Sequence, residues 1–392
     1  MDGTDITRRA VLQGGAALAG LAALGVPLAA LAAPAAAAEY EVIPWLDQRP
    51  AAPPPPPDVA DTQLVWEDLG GQITPNEKFF TVQHYGRKVI AAPGWRLDIG
   101  GLVNQPLALS LDEIRALPRR EVTFTLECSG DHGFPFVTGL VGNATWAGTP
   151  LAPLLRQAGP LPRGIEVVFW GADSGPANVG DPPAPVVERF GRSLSLADAT
   201  GEDVLLCYEM NGQPLHPAHG FPVRLLAPGW YGVANVKWLR RIELLDTAYA
   251  GRFMAREYVT QRTMVQDGQA SVKFTLVGRS RLKSAPARIV RGARGYRVEG
   301  VAWHAPIDRV EVRIDGGSWQ RAYLVGEPGL EGYAWQRWGY DLGAWSAGQH
   351  TVTARAIDRA GNVQPAPEDP SIATKLTFWE SNGQITRRVR IG

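Results

Sequence analysis

Short runs of strand-forming residues, interrupted by turns and a few helical segments, determine what the central part of this 392-residue chain can fold into. Several runs are apolar at consecutive positions, which is typical of strands that are covered on both faces. We therefore expect residues 62–250 to form one α+β domain. The runs are VTFTLEC (122–128), EVVFWG (166–171), DVLLCYE (203–209), FPVRLLA (221–227) and VKWLRRIELL (236–245).

Two helices are signalled within that domain. Ser110 and Glu113 form a capping box, in which the serine accepts a hydrogen bond from the first turn and the glutamate reaches back. A second helix is predicted to begin at Thr149 and to end at Gly159.

The pattern changes after about residue 260, where helical signals become scarce. RVEVRID (309–315) alternates apolar and polar residues and runs into Asp315-Gly316-Gly317, a hairpin-type turn. HTVTARAID (350–358) alternates again and ends in a second turn, Arg359–Asn362. We expect residues 260–392 to form an all-β, immunoglobulin-like sandwich domain.

The N-terminal residues are predicted to be a targeting segment. An arginine pair in ITRRAVLQ (6–13) precedes a weakly apolar, alanine-rich stretch, and Ala36-Ala37-Ala38 fits a cleavage site. This pattern is typical of a twin-arginine signal peptide, so residues 1–38 are expected to direct the protein to the periplasm and to be removed, leaving no membrane span. The alternative, an uncleaved membrane anchor, is disfavoured by the glycine and proline interruptions. Residues 39–61 are predicted to be a proline-rich linker.

Composition argues against several classes of protein. The formal net charge is zero, and no basic excess indicates a nucleic-acid partner. Two cysteines do not make a disulfide framework, and no C-x-x-C-H motif for heme attachment occurs, so no heme is expected in this chain.

Cys128 follows the first strand-like run, in FTLECSGDHGF (124–134). From the local sequence alone, a buried inert thiol is favoured, because free cysteine is commonly buried. The alternative is a metal ligand, since a thiolate binds soft transition metals.

Cys207, His216 and His219 could suggest a zinc site. Pro217 argues against a helical arrangement of the two histidines, and no fourth ligand is apparent. Cys207 lies inside an apolar run and is predicted to be a core thiol.

Six stretches carry a resemblance to a known family. The long central block is the most specific, and the six together cover nearly all of the predicted mature chain. They resemble the sulfite oxidase family of molybdopterin-dependent oxidoreductases, whose catalytic domain would correspond to residues 62–250 and whose dimerisation domain would correspond to 260–392. The stretches are ITPNEKFFTVQH (73–84), TLECSGDHG (125–133), ATWAGTPLAPLL (144–155), YEMNGQPLHPAHGFPVRLLAPGWYGVANVKWL (208–239), VEGVAWHAPIDRVEVRIDGGSW (298–319) and ARAIDRAGNVQP (354–365).

The resemblance implies a molybdenum cofactor, with the metal held by a pterin dithiolene and by one cysteine, which Cys128 matches. Arg224 could bind a phosphate bidentately, and Lys237 could bind one as a point charge. Tyr208 matches the family's pocket tyrosine, and Arg337 matches an arginine that reaches the pocket from the C-terminal domain; both are implied to be catalytic. Cofactor contacts are implied for Phe80, His84, Asp173, His219, Arg224, Asn235, Val236 and Lys237.

The chain departs from sulfite oxidases where that family binds its dianionic substrate. Val82 occupies the position of one arginine, and Asp131-His132-Gly133 replaces a segment that contains another. The loss of two cations is expected to weaken the binding of a dianion, because charge-assisted hydrogen bonds are among the stronger contacts.

The expected function is an exported molybdenum oxidoreductase that transfers an oxygen atom, as sulfite oxidases and dehydrogenases do. The resemblance implies a homodimer, and a separate carrier such as a cytochrome is expected to exchange the electrons. An alternative is a reductase of a neutral S-oxide or N-oxide, which the missing arginines would suit. A third reading, a non-enzymatic binding module built on the sandwich, leaves the central block unexplained.

Overall fold

β-strands make up most of the computed structural model, which describes residues 40–47, 62–131, 139–326 and 332–392. The predicted signal peptide (1–38) and most of the predicted linker (39–61) lie outside the described residues. The strands are β1 (Glu41–Ile43), β2 (Arg96–Gly101), β3 (Leu107–Ser110), β4 (Arg120–Glu127), β5 (Val141–Pro150), β6 (Glu166–Val179), β7 (Ala184–Ser195), β8 (Leu205–Met210), β9 (Gln213–Pro214), β10 (Arg224–Leu226), β11 (Leu239–Leu245), β12 (Val259–Gln266), β13 (Gln269–Leu276), β14 (Lys283–Gly292), β15 (Gly295–Trp303), β16 (Ile307–Ile314), β17 (Gln320–Arg321), β18 (Tyr323–Val325), β19 (Gln336–Gly343), β20 (Gly348–Asp358) and β21 (Ile385–Ile391). The α-helices are α1 (Leu111–Arg115), α2 (Leu151–Ala158), α3 (Leu196–Ala199) and α4 (Pro370–Ala373).

Two sheets build the first half of the molecule. One has the order β3-β2-β11-β6-β7, and the other has the order β10-β8-β5-β4 with β9 paired to β8. Within the first sheet β2 and β11 are parallel, with Ile99 opposite Ile242, whereas β11 and β6 are antiparallel. Both residues are buried in a large core with Phe169, so apolar side chains of this sheet face the interior. The predicted α+β class is confirmed, with strands outweighing helices.

The two predicted helices are present. The capping box at α1 is formed, because the Ser110 side chain accepts from the Glu113 amide and the Glu113 side chain accepts from the Ser110 amide. Helix α2 ends at Gly159, which adopts a left-handed φ of 70°. It begins at Leu151, two residues later than predicted, because Thr149 still belongs to β5.

The second half contains the predicted sandwich. One sheet includes β14-β15-β19-β18, and the other has the order β17-β16-β20-β21. Val298, Val310 and Val352 are among the residues of the core that the two sheets enclose. The turn after β16 has positive φ at Asp315 and Gly316, as its sequence predicts. A two-stranded hairpin, β12–β13, precedes the sandwich and was not expected from the sequence.

A hydrophobic cluster joins the two halves. It contains Leu64, Trp66 and Val141 from the first half, together with Trp303 and Trp335 from the second. Trp335 donates from Nε1 to the Gln72 carbonyl at 2.9 Å, and Gln72 Nε2 donates back to the Trp335 carbonyl at 2.7 Å. The first half and the sandwich therefore share buried surface rather than only a linker.

Within the described part of the chain, no helix is long and apolar enough to cross a membrane.

The shared core predicts that both halves unfold together. Trp335→Ala should lower the free energy of unfolding by about 3–5 kcal/mol, because it removes a fully buried indole and leaves a cavity. Chemical unfolding followed by far-UV circular dichroism and by tryptophan fluorescence should show coincident, shifted transitions. Trp319→Ala, at a partly exposed sandwich position, is the control and should shift the midpoint much less. Two separated transitions, with only one of them moved by Trp335→Ala, would contradict a shared core.

Candidate functional site

A pocket opens between the two cores of the first half, next to the end of β4. Val82, which was predicted to occupy the position of an arginine in sulfite oxidases, is part of its wall. So are Gln83 and Tyr258, which the sequence did not single out. The residues that were predicted as cofactor contacts and that line this pocket are Phe80, His84, Cys128, Asp173, His219, Arg224, Asn235 and Lys237.

Cys128 is the first residue after β4, and its chain turns sharply there. The Cys128 amide donates to the Leu140 carbonyl at 2.9 Å, and the Asp131 amide donates to the Cys128 carbonyl at 2.9 Å. Burial raises the pKa of the Cys128 thiol to about 12, so the thiol holds its proton when no metal is present. A bound metal would replace that proton, since the thiolate is the ligand form.

Arg224, at the start of β10, is 3% exposed and is held by carbonyl oxygens. Its Nη1 donates to the His219 carbonyl at 3.1 Å and its Nη2 to the Asn235 carbonyl at 3.0 Å, while the guanidinium lies 5.0 Å from the Trp146 ring centroid. Burial lowers the pKa of Arg224 to about 10, which still leaves it charged at neutral pH. Its Nε is buried without a hydrogen-bond partner.

Lys237 is the second buried cation of the pocket. Its Nζ donates to Gln83 Oε1 at 3.1 Å and to the Ala218 carbonyl at 2.9 Å. Burial, and then the charge of Arg224, lower the pKa of Lys237 well below its usual range. An anion beside it would favour the charged form.

These groups leave the pocket with unmatched polar atoms. The side-chain nitrogens of Arg224 and Lys237 donate to carbonyl and amide oxygens, and the carboxylate that acts electrostatically on Lys237 is that of Asp173. The donors Gln83 Nε2 and Arg224 Nε and the acceptor Asp173 Oδ1 are buried without hydrogen-bond partners. Burial raises the pKa of Asp173 to about 6. Buried polar groups are normally satisfied, so these atoms fit a ligand that carries negative charge together with donor and acceptor groups.

Two histidines of the pocket stay neutral at neutral pH. Burial lowers the pKa of His84 to about 4 and that of His219 to about 3. His219 Nε2 lies 3.4 Å from the Asn76 carbonyl, which can only accept, so Nε2 is the protonated nitrogen. His84 Nε2 lies 2.6 Å from the Tyr258 hydroxyl.

Tyr258, like Gln83, lines the pocket and was missed by the sequence analysis. Its ring stacks on Trp379 at a centroid distance of 4.3 Å, and its hydroxyl contacts His84. Burial, and then the nearby Cys128, raise the pKa of Tyr258 well above its usual value, so it keeps its proton. It precedes the unpredicted hairpin β12–β13 and carries no local motif, so only the folded chain brings it to the pocket.

Three predicted site residues are not brought to the pocket. Tyr208 is 2% exposed and belongs to the large core with Leu206, because alternation along β8 sends it to the face opposite Cys207. Val236 is likewise buried in that core. Arg337 lies on β19 of the sandwich, opposite Val301 and Val325, and does not line the pocket.

Some residues have structural tasks instead. The Asn235 side chain accepts from the Ala227 amide at 2.8 Å and donates to the Tyr231 carbonyl at 3.1 Å, so it fixes the chain that builds the pocket wall. The Asp131 carboxylate accepts from the Leu140 amide within its own loop. His132 and Gly133 lie outside the described residues.

The zinc alternative has no support in the described ranges, where no group of three His, Cys, Asp or Glu side chains could hold a metal ion. Cys207 is fully buried, and its thiol donates to the Glu209 carbonyl at 3.3 Å. It is a core thiol, as its apolar run predicted.

Two family models match the chain. Residues 84–253 match the oxidoreductase molybdopterin binding domain, and residues 282–379 match the Mo-co oxidoreductase dimerisation domain. The first match includes Cys128, Arg224 and Lys237.

Curated relatives agree with these models. Mitochondrial sulfite oxidase of Mus musculus is 33% identical over 370 residues, covering 86% of this chain and 63% of that protein. Sulfite oxidase of Gallus gallus is 31% identical over 341 residues, covering 80% of this chain and 71% of that protein. The chain thus spans somewhat under two thirds of the length of the mammalian relatives.

A solved structure has the same fold over nearly the whole chain. The sulfane dehydrogenase SoxCD from Paracoccus pantotrophus matches with a TM-score of 0.72 and 26% identity, covering 94% of this chain and 93% of that one.

Because these histidines are neutral in the folded protein, we expect the free energy of unfolding of the cofactor-free protein to fall at acidic pH. The unfolded chain takes up a proton at His219 below about pH 6.5, whereas the folded chain does so only near pH 3. The contribution of His219 to the free energy of unfolding is therefore fully present above pH 6.5. It falls as the pH is lowered, by about 2 kcal/mol between pH 6.5 and 5. Urea unfolding should show a smaller loss over this range for His219→Gln.

His350→Gln is the control of opposite sign. The hydrogen bond to Asp315 raises the pKa of His350, so that group stabilises the fold more at low pH and its removal should steepen the loss. An unchanged pH slope in His219→Gln would contradict burial of a neutral histidine at this position.

Proposed function

The chain belongs to the sulfite oxidase family of molybdopterin-dependent oxidoreductases, and we propose that it is a molybdenum enzyme that oxidises sulfite or a related sulfur oxoanion by oxygen-atom transfer. The observation that carries the proposal is a pocket that Cys128 lines together with two buried basic side chains, Arg224 and Lys237, whose nitrogens are held by carbonyl and amide oxygens. The unmatched polar atoms of Gln83, Asp173 and Arg224 fit an anionic cofactor with amide-like edges.

Different residues of the pocket would bind different parts of that cofactor. The Cys128 sulfur would be the protein ligand of the metal once its proton has left. Arg224 and Lys237 would hold the phosphate, with the free Arg224 Nε as a donor, and Gln83 and Asp173 would meet the donors and acceptors of the ring system. When bound, the molybdenum cofactor supplies the two-electron redox chemistry and the oxygen transfer.

Tyr258 is the residue placed to orient a substrate. The Tyr258 oxygen can accept from His84 Nε2, which leaves its hydroxyl hydrogen free to donate to a substrate oxygen in the pocket. Because both groups are neutral at pH 7, this pair offers a hydrogen bond without a charge.

A second candidate is a reductase of a neutral S-oxide or N-oxide. The observation that favours it is the apolar lining, in which Val82, Leu126 and Phe190 stand where a dianion would need cations. Tyr258 would serve such a substrate as a hydrogen-bond donor. The first candidate remains the better supported, because the two curated relatives described above, which match at 31–33% identity, are sulfite oxidases.

The proposal includes export, a dimer and a separate electron carrier. Export is supported by Arg8-Arg9 and the cleavage-like site at Ala36-Ala37-Ala38. A homodimer is supported by the match of residues 282–379 to a dimerisation domain. A separate carrier such as a cytochrome is supported by the likeness to the sulfane dehydrogenase SoxCD, since the electrons that a dehydrogenase removes from its substrate must pass to an acceptor.

The metal content of the purified protein tests the proposal. From a host that makes the cofactor, the wild-type protein should contain roughly one molybdenum per chain. Cys128→Ser should hold less metal than the wild type, because an alcohol is a poor replacement for a thiolate while the pterin dithiolene still binds the metal. Cys207→Ala is the matched control, and its metal content should equal that of the wild type.

The substrate is tested on the same samples. Anaerobic sulfite should bleach the metal–thiolate absorption of the oxidised wild-type protein. If only dimethyl sulfoxide, added to the dithionite-reduced protein, restores that absorption, the reductase is the correct reading. Wild-type protein that carries no molybdenum would contradict both.

Export is tested by fractionation. Arg8→Lys with Arg9→Lys should retain the precursor in the cytoplasm, because the twin-arginine route reads the arginine pair. A lysine pair that still yields mature protein in the periplasm would contradict this route.

A further inference from the structure

A buried charge cluster lies directly behind Cys128. Glu127, the last residue of β4, is fully buried and forms an ion pair with Lys283 Nζ through Oε1. Its Oε2 accepts from Trp303 Nε1 at 2.9 Å and from His304 Nε2 at 2.7 Å. Lys283 begins β14 and Trp303 ends β15, so every one of these donors comes from the C-terminal sandwich.

The charges in this cluster are balanced. Although burial alone would raise it, Lys283 and then His304 hold the pKa of Glu127 at about 2, so it is a carboxylate. Burial lowers the pKa of His304, which therefore donates as a neutral imidazole. An ion pair so deeply buried contributes little net stability compared with packed apolar residues, so fold stability alone does not account for it.

Alternation along β4 links the cluster to the pocket. Leu126 and Cys128 line the pocket, and Glu127 between them points to the opposite face. Fixing the Glu127 side chain therefore fixes the direction in which the following peptide sends the Cys128 side chain.

The same strand end is confined from a second side. A Cβ placed on Gly232 would lie 3.2 Å from the Glu127 carbonyl oxygen and 3.8 Å from the Cys128 Cα. The neighbouring Tyr231 ring meets His304 edge-on at 6.0 Å. The backbone of residues 127–128 is thus held between the pocket wall and the sandwich.

We propose that Lys283, Trp303 and His304 act through Glu127 as positioning residues for the Cys128 sulfur, so that the sandwich domain is a structural part of the redox centre. The role of Cys128 as a metal ligand rests on the proposed function. We call the contacts of Lys283, Trp303 and His304 with Glu127 the clamp, and the clamp is a property of the protein with or without metal.

The test uses the full chain and a charge-balanced variant, Glu127→Gln with Lys283→Met. In cofactor-free protein, iodoacetamide should label Cys128 at least about tenfold faster than in the wild type, a factor equivalent to about 1.4 kcal/mol in the opening equilibrium. In the metal-loaded protein, the metal–thiolate absorption maximum should shift, because the sulfur is no longer held in one orientation.

Arg288→Met with Glu299→Gln is the matched control. It removes a partly buried ion pair of the same sandwich, in which Arg288 Nε lies 2.8 Å from Glu299 Oε2, and it leaves the hydrogen bonds of Glu127 to Lys283, Trp303 and His304 in place. Its labelling rate and its spectrum should equal those of the wild type.

The outcomes separate the two proposals. Wild-type labelling and an unshifted spectrum in the Glu127–Lys283 variant would overturn the clamp. If that variant does not fold, His304→Gln, which keeps the ion pair, decides by the same two criteria. Faster labelling in a chain that never takes up molybdenum would support the clamp while contradicting the proposed function.

Discussion

Two basic side chains that are buried against carbonyl and amide oxygens set the requirements of the pocket. Arg224 and Lys237 are held by these neutral oxygens, so a bound anion could still pair with them. Burying charge without a counter-charge is costly, and burial accordingly lowers the pKa of both groups. A bound anion in the pocket would offset the free-energy cost of burying these two side chains. The neutral states of His84 and His219 follow from the same burial and the same neighbouring charges.

The ends of two strands place the reactive side chains in this pocket. Cys128 enters the pocket because β4 ends there, and Arg224 enters because β10 begins there. The sandwich contacts the strand that precedes Cys128, because Trp303 donates a hydrogen bond to Glu127. The C-terminal half also contacts the pocket wall, because Trp379 stacks on Tyr258. The C-terminal half is therefore part of the construction of the site as well as a candidate surface for self-association.

The sequence was sufficient to predict where strands and helices begin and end. It was insufficient to predict which side chains of a strand face the pocket. The strand end at Cys128 was predictable from its apolar run, and eight of the implied cofactor contacts do line the pocket. Tyr208 does not line the pocket, because alternation along β8 places it in the core, and a strand that is apolar on both faces does not reveal from its sequence which face meets the pocket. Tyr258 could not be found, because it reaches the pocket beside a hairpin and a residue of the sandwich that are distant in the chain.

The sulfur ligands of the metal test the central claim most directly. X-ray absorption at the molybdenum edge counts the sulfur neighbours of the metal in the loaded wild-type protein and in Cys128→Ser loaded to the extent it allows. The account predicts that the variant has one sulfur neighbour fewer than the wild type, because Cys128 is the residue proposed to supply a sulfur ligand to the metal. An equal number of sulfur neighbours in the two proteins would contradict it, and would return Cys128 to the role of a partly buried structural thiol.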